Sequence, residues 1–389
     1  MPKFPHFAER LNRIQGSVFE KYRSKMKEKG PYMIHLHIGD TYLHPKFNLP
    51  VDSEFLKKRP YFNRYCNTFG VERFRRAAAE KLNEDNGFTV DSEQILATSG
   101  ATNALSASVI SLLDPDEEIL ILTPCWPFFP GMVKVADARG IEVPFYTELY
   151  TKPDLNITAY LKEFMTPNTV ALYLNTPNNP SGKVLTRHQL EQLADFAKYQ
   201  DLWIISDEAY DGLIFDGHEQ ICIGTLPEMH QRTISIFTFS KSFMFAGLRL
   251  GYLTSDAEVV KEINKVLVHQ VYSPSTLSQY MMVEPLKHRQ DWIPKLCMEY
   301  QELRDMFIEK MQIPVICPEG TYFLFFSIQA YLRGRKYWEV IDQLIDAGVA
   351  VAPGVDFGSN FKDYIRICFT GEPPERLEKA IERLNEVLA

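Results

Sequence analysis

The chain has 389 residues, 45% hydrophobic and 24% charged, with 24 prolines and 20 glycines. That length accommodates two or three domains, and the composition is that of a folded globular protein rather than a disordered, collagen-like or membrane-spanning one. A net charge of −8 argues against any general attraction to nucleic acid or anionic membrane and leaves room only for a local anion site.

In chain order, residues 1–45 join a helical pattern from Phe7 to Met26 to the loop HLHIGDTYLHP, and read as an arm rather than a domain. The start, MPKFPHFAERLNRIQ, lacks the unbroken apolar core of a secretory signal. The most apolar long stretch, 119–133, is broken by Pro124, Pro127 and Pro130 and is too short to span a bilayer. Helices are predicted over Arg73–Asn83, Ala101–Leu113 and Thr186–Tyr199. Strands are predicted over Gln94–Thr98, Glu118–Leu122, Val170–Asn175, Leu202–Ser206 and Thr233–Phe239. Most of these strands are apolar at consecutive positions, as strands buried on both faces of a mostly parallel sheet are. Their alternation with helices predicts a layered α/β domain over 46–285. Beyond about 285 the texture changes to a long helix, Trp292–Met311, then strands Tyr322–Ser327, Val349–Ala352 and Tyr364–Phe369, and a last helix Pro374–Leu388. This predicts a smaller α+β domain over 286–389. The six cysteines, at 66, 125, 222, 297, 317 and 368, form no CxxC pair and read as reduced thiols of a cytoplasmic protein; no metal site is indicated.

Five short motifs carry chemistry. SGAT (99–102) puts Gly100 at a strand-to-helix turn, so that the amides of Ala101 and Thr102 can meet an anion. TPCWPFFP (123–130) fences Trp126 with prolines, where it can stack on a flat ring. NTPNNPSG (175–182) is a stiff loop able to aim Asn179 at an oxygen. SDEAY (206–210) ends an apolar strand with two carboxylates, which is costly unless one finds a cationic partner. TFSKSFMFAGLRLGY (238–252) sets Lys241 after a β-rich run read as lying at the sheet edge, with Arg249 eight residues on; a lysine in an apolar pocket becomes a nucleophile. Each motif alone has a bland alternative as an ordinary turn, core ring, crossover loop, helix cap or surface charge. Together they supply the parts that hold pyridoxal phosphate.

The set NNPSG, SDEAY and SKSF…GLRLGY resembles the class I/II aminotransferases, of the fold type I pyridoxal-phosphate enzymes, from about Gly39 to Arg366. The resemblance implies a large domain with a mostly parallel seven-stranded sheet between helices, a smaller α+β domain, and an arm that helps line the substrate site. It implies pyridoxal 5'-phosphate as cofactor, held as an aldimine on Lys241, and a ping-pong transfer of an amino group from an L-amino acid to a 2-oxo acid. Asp207 resembles the acid that keeps the pyridine nitrogen protonated. Tyr210 and Asn179 resemble the pair on the phenolic oxygen, and Trp126 the stacking ring. Gly100, Ala101, Thr102, Thr238, Ser240 and Arg249 resemble the phosphate cup, and Tyr65 the tyrosine a partner subunit lends to it, which implies a homodimer. Arg366 resembles the clamp on the substrate α-carboxylate, and Gly39 a glycine lying against the substrate.

There are departures. Thr102 stands where some aspartate-specific members have lysine, and no second arginine is assignable to a distal carboxylate, which weakens a dicarboxylate reading. His35, His37 and His44 flank the substrate-side loop without an assigned role. A lyase, cyclase or decarboxylase on the same fold shares these residues, and its products separate it from a transaminase. A ligand-sensing regulator would need an added DNA-binding domain, for which the net charge and the 40 or so residues before the core leave little scope.

Overall fold

The computed structural model describes residues 4–14, 16, 21–49 and 53–389. Twelve strands are described: β1 (Ile34–His35), β2 (Ile95–Thr98), β3 (Glu118–Thr123), β4 (Arg139–Pro144), β5 (Thr169–Asn175), β6 (Trp203–Asp207), β7 (Thr233–Thr238), β8 (Gly251–Thr254), β9 (Phe323–Ser327), β10 (Val349–Ala350), β11 (Ala352–Pro353) and β12 (Tyr364–Cys368). Seven form one sheet in the order β2-β8-β7-β6-β5-β3-β4. β8 runs antiparallel to both its neighbours, and the other pairings in this sheet are parallel.

The apolar runs are explained by the layers. Along β3, Leu120 and Leu122 join a core on one face with Leu172, Leu174 and Ile204, while Ile119 and Ile121 join a core on the other with Tyr173, Ile205 and Ile236. With both faces covered, no position calls for a polar side chain, and each buried Ile or Leu contributes about 1.5–3 kcal/mol. The crossover helix Arg187–Tyr199 starts with a capping box, in which Thr186 accepts from the Gln189 amide and Gln189 accepts from the Thr186 amide.

The remaining strands make a three-stranded sheet, β11-β12-β9, and a parallel pair, β1-β10. That pair ties the arm to the C-terminal part of the chain. The last helix, Pro374–Leu388, reinforces it, as Arg376 donates to the Met33 carbonyl at 2.7 Å and Arg383 to the Tyr32 carbonyl at 3.0 Å.

Several sequence expectations need correction. The sequence pattern does not predict β1, β4 or β8, and His35, read as the start of a loop, lies in β1. β7 is not at the sheet edge; it lies inside, between β8 and β6. Val349–Ala352 is two strands in different sheets, because Ala350 pairs with His35 while Ala352 pairs with Arg366. The Phe7–Met26 helix is instead a 3₁₀ turn at Glu9–Arg13 and a helix at Arg23–Lys29, with residues 15 and 17–20 outside the described residues. Among the described residues no helix is long and apolar enough to cross a membrane.

Candidate active site

At the ends of β2, β7 and β8 the backbone is packed too tightly for side chains. A Cβ on Gly100 (φ +80°) would meet Arg249 Nη2 at 2.9 Å, and one on Gly251 would meet the Phe237 carbonyl oxygen at 2.6 Å and Gly100 at 3.0 Å. Gly100 therefore leads without a side-chain cap into the twelve-residue helix Ala101–Leu112, leaving its first amides open to an outside acceptor. Arg249, itself at φ +48°, reaches back over Gly100 and donates to the Ala246 carbonyl at 2.9 Å. Thr238 donates to the Ser240 hydroxyl at 3.0 Å. Amides, two hydroxyls and a guanidinium thus converge at one end of the sheet, with Thr102 exposed at its rim.

Asp207 ends β6 in register with Asn175 of β5 and Ile236 of β7. Its carboxylate accepts from the Tyr173 hydroxyl at 3.0 Å and the Ala209 amide at 3.1 Å. Asn175 donates to the Asp207 carbonyl at 2.7 Å and accepts the Asn179 amide at 2.7 Å, linking the two loops. Burial pushes the Asp207 carboxyl up to about 6, with only neutral donors and the more distant Lys241 charge opposing it. Burial likewise pulls the Lys241 amine down to about 8, against the attraction of Asp40. The amine donates to the Gly39 carbonyl at 2.9 Å, which also accepts from Tyr322 at 3.2 Å. A Cβ on Gly39 would lie 2.8 Å from the Phe323 ring, so only glycine brings this carbonyl so close.

Arg366, on β12, is buried and stacked 4.2 Å from the Phe323 ring centroid and 4.8 Å from that of Phe357. It donates to Asn179 Oδ1 at 3.0 Å and to the His37 carbonyl at 2.7 Å, while its Nε, also buried, has no partner among the described residues. Tyr210 is buried edge-on to Tyr322 and Phe323, and burial holds its hydroxyl well above the usual phenol range. Trp126 is half-buried, edge-on to Phe128, and the neighbouring Cys125 amide donates to the Phe357 carbonyl at 3.0 Å, joining this loop to the Arg366 side of the cleft.

Tyr65 stands apart: it is 83% exposed and its ring meets that of Tyr272. His44 is exposed. The rings of His35 and His37 lie 5.4 Å apart, tilted by 53°, and burial, with His35 and Arg366 nearby, pulls His37 down to about 3, so it stays neutral. Sequence reasoning missed Tyr173, Asn175 and Tyr322. The first two had a signal: two residues apart on a buried strand, they share a face, and a buried hydroxyl and amide need partners.

These residues fit pyridoxal phosphate. The cup offers anion donors where a Cβ has no room. Asp207 is a buried acid in no ion pair among the described residues, matching a protonated ring nitrogen, and Lys241 is an amine poised near its free-base form.

The comparisons agree. The family model "Aminotransferase class I and II" matches residues 39–384, and the chain belongs to that family. It is 32% identical to the aromatic-amino-acid aminotransferase 2 of Thermococcus litoralis and to an aspartate aminotransferase of Pyrococcus abyssi, each over 92% of both chains. Among solved structures it is similar to an aromatic aminotransferase from Pyrococcus horikoshii (TM-score 0.84, 31% identity, 98% of both chains). It is also similar to the Thermus thermophilus aspartate aminotransferase with maleate (TM-score 0.87, 28% identity, 99% of this chain and 100% of that one). The chain is thus a fold type I, pyridoxal-phosphate-dependent aminotransferase, acting on an amino acid and a 2-oxo acid.

Proposed function

We propose that this transaminase runs both half-reactions in one cleft, with Lys241 as the residue that holds the cofactor and moves the proton at the substrate Cα. The observation that carries the assignment is the Lys241 amine, 2.9 Å from the Gly39 carbonyl and paired with no carboxylate among the described residues. When bound, pyridoxal phosphate supplies an electron sink and a carrier for the amino group. Asp207 keeps its ring nitrogen charged, a bond worth about 1.5–3 kcal/mol net. Tyr210 and Asn179 hold its phenolic oxygen, Trp126 covers its face, and Gly100, Ala101, Thr102, Thr238, Ser240 and Arg249 hold its phosphate. Arg366 turns two N–H groups toward the substrate carboxylate, which takes over from the Asn179 and His37 oxygens, and Gly39 leaves room beside it.

Residues 46–285 form the cofactor-binding domain on this reading, 286–389 the smaller domain, and 1–45 an arm that belongs with the latter; the β1–β10 pairing supports that grouping. The exposure of Tyr65 fits a homodimer in which it serves the partner's phosphate cup, and six free cysteines fit the cytoplasm. The test is a panel of amino donors, headed by the aromatic and dicarboxylic amino acids named for the relatives. A transaminase releases one 2-oxo acid per bound cofactor, changes the cofactor's absorbance, and recovers it on addition of a 2-oxo acid. Release of ammonia with no lasting change in absorbance would mark a lyase instead.

A further inference from the structure

Glu208 is left over once the site is assembled. It follows Asp207 directly and has no exposed surface (0%). Among the described residues its carboxyl oxygens meet only neutral groups, the Ser206 hydroxyl at 2.7 Å and the Gln220 side-chain amide at 3.2 Å. Gln220 in turn accepts the Gly212 amide at 3.0 Å. Residues 206–212, which include Asp207 and Tyr210, are therefore closed into a ring by hydrogen bonds that pass through Glu208. The turn is pinned separately where Asp211 meets Lys81 of the helix Glu72–Asp85 and Asn86, which ends that helix.

An acid is an expensive choice for such a place, since an apolar side chain would fill the volume without a desolvation cost. The charges around it do not repay that cost. Asp207 and Asp211 on its own turn repel it, Lys81 is engaged by Asp211, the buried Cys222 thiol from the following loop is neutral, and its own amide bonds the Ile236 carbonyl of β7. Burial pushes the Glu208 carboxyl up to about 8, so at neutral pH it carries a proton, and the Ser206 hydroxyl can turn to accept it.

We propose that Glu208 is a positioning residue for the cofactor: by tying Ser206 to Gln220 and Gly212 it fixes the turn on which Asp207 and Tyr210 meet the cofactor ring. This rests on the cofactor reading given above. A wild-type protein that failed to bind pyridoxal phosphate would overturn that reading rather than this one.

The test measures the pyridoxal phosphate dissociation constant by absorbance and fluorescence titration, with the cofactor-induced rise in Tm, from pH 6.5 to 9.5. Glu208→Gln keeps the shape of a neutral carboxyl and should bind within about threefold of wild type at pH 7, whereas Glu208→Ala should bind about tenfold more weakly or worse. Gln220→Ala, a milder cut in the same chain of bonds, should fall between. Above pH 8 the wild-type carboxyl ionises between Asp207 and Asp211, so the affinity of Glu208→Gln relative to wild type should rise with pH; a merely structural role would leave that ratio flat. Wild-type affinity in Glu208→Ala, or a Glu208→Gln as weak as Glu208→Ala, would overturn the proposal. Should Glu208→Ala not fold, a Gln220→Ala that binds like wild type together with a flat Glu208→Gln ratio would do the same.

Discussion

Two sets of buried charges divide this molecule. Away from the cleft, Lys81 meets Asp211, Lys183 meets Glu319, Arg289 meets Asp85 and Glu84, and Arg304 meets Asp216 and Asp305, the last two arginines in part through two-point contacts of 2.5–2.9 Å. At the cleft, among the described residues, Lys241 and Arg366 meet only neutral oxygens, and Asp207 meets only a hydroxyl and an amide. The basic side chains of the first set are buried, as are Arg366 and Asp207 of the second, and Lys241 is half-buried. Charges of the first kind are satisfied within the chain and hold it together; those of the second are satisfied only by something from outside. Breaking a paired group should therefore cost stability, and breaking an unpaired one should cost function.

The widest separation is expected for the lysines. Lys241→Ala should lower turnover by about 10⁴-fold or more, the upper range for a proton-transfer residue, with an unchanged or higher Tm. Lys81→Met should instead lose about 3 kcal/mol of stability in urea, because it strands Asp211. The arginines come next. Arg366→Lys should lower kcat/KM by about 10²-fold, as loss of one charge-assisted bond from a two-point clamp predicts, and leave the cofactor's dissociation constant alone. Arg304→Lys should leave kcat/KM alone and lower Tm.

The carboxylate gives an effect of similar size with an unusual sign. Asp207 ordinarily titrates near 3.8 and is raised to about 6 here, so between those values the folded cofactor-free protein holds a proton that the unfolded chain has lost. Its stability must fall as pH rises through that window, by about 3 kcal/mol in the limit. Asp207→Asn should remove that slope, leaving the cofactor-free protein more stable than wild type at pH 7 while binding pyridoxal phosphate more weakly; urea unfolding at pH 5 and pH 7 measures both limbs. The smallest effect is expected at Tyr65, where Tyr65→Phe should raise the cofactor's dissociation constant about tenfold for one lost hydrogen bond to a charged group. Mixing a Tyr65 variant with a Lys241 variant, at a cofactor concentration where the Tyr65 variant is mostly unloaded, should restore some activity if sites are shared between subunits, and none if they are not.

The legible parts of the fold were those buried on both sides. The strands β2, β3, β5, β6 and β7 announce themselves by continuous apolar runs. β4 did not, because it is an edge strand whose Arg139 and Gly140 are exposed and whose Glu142 is half-buried. β8 is hidden because it is only four residues long and begins inside the motif 238–252, just after Arg249 in a left-handed conformation. At the site, residue type and order were enough to nominate Lys241, Asp207, Arg249 and Arg366. They could not reveal that the Gly39 carbonyl receives Lys241 or that the Tyr173 hydroxyl receives Asp207, since those contacts depend on segments 202 and 34 residues apart in sequence.

The Lys241 amine, paired with no carboxylate among the described residues, waits for the cofactor's aldehyde. Borohydride reduction of the cofactor-loaded protein, followed by protease digestion and mass mapping, tests it directly. One modified peptide is expected, spanning Lys241 and carrying the mass of reduced pyridoxal phosphate. Modification at another lysine, or none in protein shown to hold the cofactor, would contradict it.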